Sequence, residues 1–388
     1  MLEDLPNIKQ EFTVNYSYQL YFTKGLFEVQ NELLTAIITA YTKHSKKVLF
    51  VVDKGVVDAH PNLLESITRY ANAHKAIMEL KAVVVVPGGE AAKVQEQALQ
   101  AVLRAIEEHG ICRHSFVVSV GGGAVIDMVG YAAATAHRGI ALLRVPTTVL
   151  AQNDAAVGVK NAINTFGKKN FLGTFAVPRA IINDLNFLET LSQKDWIAGV
   201  AEAVKVALIK DAPFFEFIAQ HAQALVDRDL EVMGKVIHRC AALHMDHIAS
   251  GGDPFESGSS RPLDFGHWAA HKLEQMTHFA LRHGEAVAKG MALDLTYANL
   301  VGLLPGDVVD RVLAVLTALG FDYSLPISDK EAVITLLEGL EEFREHLGGQ
   351  LTITLITAIG HQHEVHQIDM EMMTKAIQTL NTNTLAHS

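Results

Sequence analysis

The stretch SFVVSVGGGAVIDMVG (115–130) runs from a short β-branched segment into three glycines and then into a helical pattern. A strand, a tight turn and a helix in that order let backbone N–H groups and a helix N-terminus approach a pyrophosphate where a side chain would obstruct it. The same order also describes an ordinary βα turn, and the glycines do not form a regular GxGxxG, so both readings stay open. Outward from this point, KVLFVVD (47–53), KAVVVVP (81–87) and IALLRVP (140–146) are similarly short, β-branched and closed by Gly, Pro or Asp. Amphipathic patterns around 60–79, 90–109 and 123–136 separate them. The order β-α-β-α-β-α-β predicts a mostly parallel sheet covered on both faces, with ligands at the carboxyl ends of its strands. FTVNYSYQLYF (12–22) alternates with period two and reads as an added edge strand or ribbon.

After about residue 185 the texture changes. Segments 194–210, 213–226, 229–250, 267–280, 283–301, 306–319 and 329–343 carry helical spacing with few β-branched runs. The expected architecture is therefore an α/β, Rossmann-like nucleotide-binding domain over 1–185 and an all-α domain over 186–388. LTITLITAI (351–359) is the one late strand, isolated or in a small hairpin, and the tail NTNTLAHS is expected to fray. A chain of 388 residues exceeds the roughly 150 of a typical domain.

Composition narrows the function. With 49% hydrophobic and 19% charged residues the chain can bury large cores, which removes disorder as a reading. A net charge of -11 disfavours a nucleic-acid or anionic-membrane surface, so an anionic ligand must meet a local cationic pocket. The two cysteines, Cys112 and Cys240, lie far apart, which excludes a disulfide framework or thiolate zinc site and fits a reducing compartment. MLEDLPNIKQ has no signal pattern, and no apolar run reaches the roughly 18–20 residues of a membrane span, so a cytoplasmic location is expected.

Three strand ends could serve a dinucleotide: the glycine turn, Asp53 as a carboxylate for ribose hydroxyls, and PGGEAAK (87–93) with Glu90 and Lys93. VPTTVLAQNDAAVGVKNAINTFGKKNFLGTF (145–175) is too polar for plain core and holds Thr147, Thr148, Asp154, Lys160, Lys169 and Asn170, with Arg138 upstream. It reads as a phosphate cradle or as a solvated loop. Glu202 in GVAEAVK, His267 in DFGHWAAH and His283 in LRHGEAVAKG could hold a zinc ion with an open fourth position. Nineteen histidines make chance pairs common. A zincin is excluded, because the position after the first His of His267-x-x-x-His271 holds Trp268 instead of a general-base Glu.

Taken in order, PGGEAAK, GGGAVIDMVGYAAATAHRG, VPTTVLAQNDAAVGVKNAIN with GKKNFLGTF, GVAEAVK, and LDFGHWAAH with HGEAVAKGM resemble the 3-dehydroquinate synthase family of sugar phosphate cyclases over about residues 47–300. The resemblance implies a homodimer with the active site between an NAD-binding domain and a helical domain. It implies Glu202, His267 and His283 as zinc ligands, with cobalt as a substitute. Asp53, Glu90, Lys93, Gly122, Gly123, Asp127, Thr147, Thr148 and Lys169 would contact NAD+. Arg138, reaching across the dimer, and Lys160, Asn170 and Lys205 would face a small sugar phosphate, with Asp154 also catalytic. His271 would be a proton relay titrating near neutrality. Transient oxidation, phosphate elimination, reduction and aldol closure would then leave no net oxidation.

One stretch departs from the family. Where dehydroquinate synthases have K-x6-D-E-x-E-x-G-L-R-x3-N-x-G-H, this chain keeps Asp253, Glu256 and Gly258 but holds Asp246 for the Lys, Ser260 for the Arg and Asp264 for the Asn. Two cations are lost and two carboxylates gained, which turns a carboxylate clamp into a site that repels one and accepts hydroxyls. Arg261, displaced by one position, could still be presented by a rearranged loop. With FREHLGGQLTITL (343–355), where Arg344 and His346 are further candidate substrate contacts, these changes resemble the branch that cyclises sedoheptulose 7-phosphate to 2-epi-5-epi-valiolone or 2-epi-valiolone. A 3-dehydroquinate synthase, a metal-dependent polyol dehydrogenase and an NAD-sensing binding protein are the rival readings.

Overall fold

The computed structural model describes residues 7–41, 46–251, 253–258 and 260–385. Six strands form an all-parallel sheet: β1 (Gln19–Thr23), β2 (Lys46–Asp53), β3 (Met78–Val86), β4 (Phe116–Gly121), β5 (Ala141–Pro146) and, after the hairpin described below, β8 (Ala180–Asp184). Their order is β1-β8-β5-β4-β2-β3. The 12–22 segment contributes only its last part, as the edge strand β1. Because side chains alternate across a strand, Phe50, Val52, Val118, Val120 and Leu143 enter one core while Leu49, Val51, Val117 and Leu142 enter the core on the opposite face. Burial on both faces explains why these strands read as continuous apolar runs. The chain crosses from β3 over β2 to β4, so the sheet reverses direction between β2 and β4, which is where parallel sheets open a ligand crevice.

The stretch 145–175 is not a plain loop. A short turn with π-type bonding (Ala151–Ala155) leads into an antiparallel hairpin of β6 (Lys160–Thr165) and β7 (Lys168–Phe175), turned by Phe166 and Gly167 at φ 56° and 72°. Its polar alternation disguised it as loop because the ribbon belongs to no larger sheet. Arg144 fixes its base: fully buried, it donates to the carbonyls of Ala156, Gly158 and Lys160 and to Asn161 Oδ1 at 2.5–3.2 Å. Gly130 makes room, since a Cβ there would lie 1.8 Å from Asn161 Oδ1.

Beyond β8 the chain is helical: Gln193–Lys210, Ala212–Gln220, Ala222–Val226, Leu230–Ser250, His267–Met276, His283–Leu300, Gly306–Ala318, Lys330–His346 and Met370–Leu385. They enclose a separate core around Trp196, Val204, Phe215, Trp268 and Leu293. The region is not purely α: β9 (Ile353–Ala358) and β10 (His361–Val365) form a hairpin whose Ile353, Leu355 and Ile356 enter that core. The last helix continues through part of the tail expected to fray, burying Met373, Ala376, Ile377 and Leu380; residues 386–388 lie outside the described residues. Both cysteines are free thiols. No helix among the described residues is long and apolar enough to cross a membrane.

Candidate active site

Three helices meet because glycines let their backbones touch. A Cβ on Gly284 would lie 2.1 Å from the Ala198 carbonyl oxygen, one on Gly290 would lie 2.0 Å from that of Gly266, and one on Gly199 would lie 2.4 Å from the Leu150 nitrogen. The crossings bring Glu202, from mid-helix, opposite His267 and His283, each the first residue of its own helix. His283 Nε2 lies 3.3 Å and His267 Nε2 3.7 Å from Glu202 Oε1. Ligand atoms of all three fall within 4.8 Å of one another. Glu202 is fully buried, and neither carboxylate oxygen finds a donor of good hydrogen-bond geometry. An oxygen without a donor beside two imidazole nitrogens is a donor set that fits a divalent ion such as zinc.

The electrostatics agree. Burial alone would raise the Glu202 pKa, but Lys205, one turn along and in ion-pair contact, together with His283 and His267, holds it well below the usual carboxylate range. Burial opposes a charge on His283, yet the Glu202 and Glu274 carboxylates push its pKa up to about 10. A proton there stands where a cation would. His271 does not titrate near neutrality: burial, then the adjacent His267 and His283, push it down to about 3, so its ring is neutral. Lys205 is buried and kept protonated by Glu202 and Asp154 against desolvation. Asp154 Oδ1 lies 2.9 Å from His244 Nδ1; burial and Glu202 act to raise its pKa, and His244 and Lys205 outweigh them. Asp264 follows the same balance, its burial outweighed by the charges of His267, Lys160 and Lys205, which hold its carboxyl below the usual range.

The glycine turn lies beside this cluster. Gly123 would carry its Cβ 3.0 Å from that of Ala155, in the turn that holds Asp154, and the same turn is fixed to the metal-side helix by Asn153 Nδ2 donating 2.7 Å to the Gly199 carbonyl. At the switch point Gly121 and Gly88 pack onto Asp53, where Cβ atoms would fall 3.0 Å from Asp53 Cβ and 2.2 Å from its Oδ1. The room left beside Gly122, the 13-residue Gly123–Thr135 helix beginning there, and the buried Thr147 Oγ1 without a partner fit a dinucleotide's phosphates. Asp53 itself is largely committed, accepting 2.7 Å from Gly55 N to cap the next helix. Thr148 likewise caps a turn through Ala151 N. Lys93 Nζ lies 2.9 Å from Asp127 and also contacts Asn170; Glu90 accepts from Asn164 at 2.6 Å. Asn170 is thus placed with the expected cofactor residues. Lys169 pairs with Glu274 at 3.1 Å.

Several expected substrate contacts are not brought to the cluster. Arg261 is spent on its own loop, donating to the carbonyls of Glu256, Gly258 and Ser260 and pairing with Glu256 at 3.2 Å. Glu256 also holds Lys160 at 2.6 Å. Arg344 is bound to Glu341 and the Gly349 carbonyl, and His346 is exposed on the same helix. Asp246 is exposed in the last turns of its helix, its charge bearing on Lys210. Ser260 donates to Glu364 of β10. Arg138, at φ 62°, is exposed and has no ion pair among the described residues. His244, Glu274 and Asp294 had escaped notice. Glu274 was within reach, because His267, His271 and Glu274 stand at i, i+4 and i+7 on one helical face.

Asp294 supports the start of the His267 helix. Fully buried, it accepts from Gly266 N at 3.0 Å and Trp268 Nε1 at 2.9 Å, and burial pushes its pKa up to about 7. Asp294→Ala leaves both donors unpaired and is expected to cost about 2–5 kcal/mol in denaturant unfolding. A loss under about 0.5 kcal/mol would show that these bonds do not hold His267 in place.

Two family models cover consecutive stretches: 3-dehydroquinate synthase N-terminal over residues 83–198 and 3-dehydroquinate synthase C-terminal over 199–342. The chain belongs to the 3-dehydroquinate synthase family of sugar phosphate cyclases. It is 30% identical over 384 residues to the 3-dehydroquinate synthase of Vibrio atlanticus (strain LGP32), which covers 96% of this chain and 99% of that protein. Among solved structures it is similar to ValA, a 2-epi-5-epi-valiolone synthase of Streptomyces hygroscopicus with NAD+ and Zn2+ bound, at TM-score 0.86 and 28% identity over 97% of this chain and 100% of that one. A 2-deoxy-scyllo-inosose synthase complexed with carbaglucose-6-phosphate, NAD+ and Co2+ shares the fold at TM-score 0.76 and 22% identity, over 93% of this chain and 96% of that one. The family junction at 198/199 falls inside the Gln193–Lys210 helix that carries Glu202, so Glu202, His267 and His283 all lie in the C-terminal part.

Proposed function

We propose that this cyclase converts sedoheptulose 7-phosphate to a valiolone-type C7 cyclitol, 2-epi-5-epi-valiolone or 2-epi-valiolone, with release of inorganic phosphate. The observation that carries this is the electrostatics of the departed stretch: Asp264 is held ionised by the nearby charges of His267, Lys160 and Lys205, Ser260 stands at the sequence position where a clamp has Arg, and Arg261 is consumed by its own loop. A substrate carboxylate would meet an ionised carboxylate there, whereas sugar hydroxyls would find acceptors. The likeness to ValA supports the same choice. A second reading, 3-dehydroquinate synthase, is favoured by the name of the Vibrio relative.

Glu202, His267 and His283 would hold zinc, or cobalt in its place, and the glycine turn with Lys93, Asp127, Thr147 and Lys169 would hold NAD+. Bound together, these groups would supply reversible hydride acceptance and Lewis-acid polarisation of the substrate's oxygen. The chain's own part is positioning and charge. Lys205, dry and protonated, stabilises negative charge developing on the substrate oxygen beside it. Lys160, on the hairpin edge, can exchange Glu256 for the departing phosphate, and an exposed Arg138 can add a second cation from a dimer partner. His271, kept neutral, can accept a hydrogen bond from a ring hydroxyl and so orient the substrate. The proposal places the enzyme in the cytoplasm as a homodimer.

The test is incubation of the zinc-loaded protein with NAD+ and sedoheptulose 7-phosphate, following phosphate and identifying the product by NMR. A C7 cyclitol with stoichiometric phosphate and no net reduced dinucleotide is expected. Phosphate only from the seven-carbon keto acid phosphate would establish the dehydroquinate synthase, and accumulating reduced dinucleotide without phosphate a polyol dehydrogenase.

A further inference from the structure

Glu274 lies outside the ligand set yet touches both halves of the site. It is 4% exposed, and its Oε2 lies 3.5 Å from His283 Nδ1, the ring nitrogen opposite the one that faces Glu202. Its other oxygen accepts from Lys169 Nζ at 3.1 Å, on the β7 strand. The turn leading from Glu274 to His283 carries two consecutive left-handed residues, His278 and Phe279 at φ 50° and 61°, and closes with Phe279 N donating 2.7 Å to the Glu274 carbonyl. The Phe279 ring then lies 4.7 Å from Lys169 Nζ. Left-handed backbone at non-glycine residues is kept where the surroundings over-determine it.

We propose that Glu274 is a positioning residue for the metal centre: its carboxylate takes the Nδ1–H of His283 and so presents Nε2 to the ion. This rests on the metal reading above. An imidazole that gives its N–H to a carboxylate keeps one tautomer and one ring orientation, and its free nitrogen is the more basic ligand. Lys169 fills the second oxygen and fixes the rotation of the carboxylate. His271, Glu274 and His283 also fall close enough together to form a second potential ligand set. That set would draw on His283 Nδ1 and leave Glu202, the fully buried carboxylate without a well-placed donor, unused.

The test is zinc affinity of the full chain without NAD+, by competition with a chromophoric chelator, for wild type, Glu274→Gln, Glu274→Asp and Glu202→Gln, with the visible spectrum of the cobalt form recorded alongside. Glu274→Gln is expected to weaken zinc by about 10–100-fold, with a shifted cobalt spectrum. Glu274→Asp, which keeps the charge, should recover part of the loss and serves as the readout if the Gln variant does not fold. Glu202→Gln should lose far more than either. Wild-type affinity in the Glu274 variants, with zinc lost in Glu202→Gln, overturns the positioning role and leaves the metal reading intact. Loss in Glu274→Gln with zinc retained in Glu202→Gln makes Glu274 a ligand and also overturns it. A wild-type chain that binds no zinc removes the metal reading itself.

Discussion

Glu202→Ala is expected to lower phosphate release by at least about 10³-fold while dinucleotide binding persists, because the substitution removes the anionic ligand and leaves the glycine turn untouched. The same change costs stability. Glu202 is fully buried and Lys205 nearly so, and removing one member of a buried pair leaves an uncompensated charge, with an expected loss of about 3–5 kcal/mol. Asp154 stands near enough to Lys205 to keep the loss at the lower end. The double variant Glu202→Ala/Lys205→Met, which buries no orphan ammonium, should return to within about 1.5 kcal/mol of wild type and remain inactive. Denaturant unfolding and a phosphate assay on both variants separate the two effects. An active double variant would exclude Glu202 from catalysis, and a stable single variant would show that Lys205 finds another partner.

The second large effect concerns the substrate. Wild type is expected to favour sedoheptulose 7-phosphate over the corresponding keto acid phosphate by at least about 10²-fold in kcat/KM, since opposing two like charges in a closed site costs several kcal/mol and each 1.4 kcal/mol is a factor of ten. Asp264→Asn removes that opposition, so the ratio should narrow by about tenfold or more, chiefly through a lower KM for the keto acid. An unchanged ratio would mean that the discrimination lies elsewhere, with the Ser260–Glu364 contact to β10 the next feature to vary.

The parallel sheet, the helical second half and the Glu202, His267 and His283 set could be read from the chain alone, because each rests on a local pattern. Apolar runs ending at Gly, Pro or Asp mark buried strands, and the ordered blocks with matching spacing put Glu202, His267 and His283 on three separate helices. Other features depended on what lies across the fold. His271 loses its near-neutral titration only because two imidazoles and the protein interior surround it. Arg261, one residue from a clamp position, is withdrawn by three carbonyls of its own loop. The 160–175 hairpin is held by Arg144, a charge buried inside an apolar strand pattern, whose partners lie 12–17 residues further along. Glu274 acquires meaning from Lys169 and His283, which approach it from two different elements.

Local periodicity and motif spacing thus determined the fold class and singled out Glu202, His267 and His283, which the fold brings together. Desolvation and the distances between charges from different elements were decided only when the chain closed on itself. A proton affinity or a hydrogen-bond partner depends on every group within a few ångströms, and sequence order does not record which groups those are.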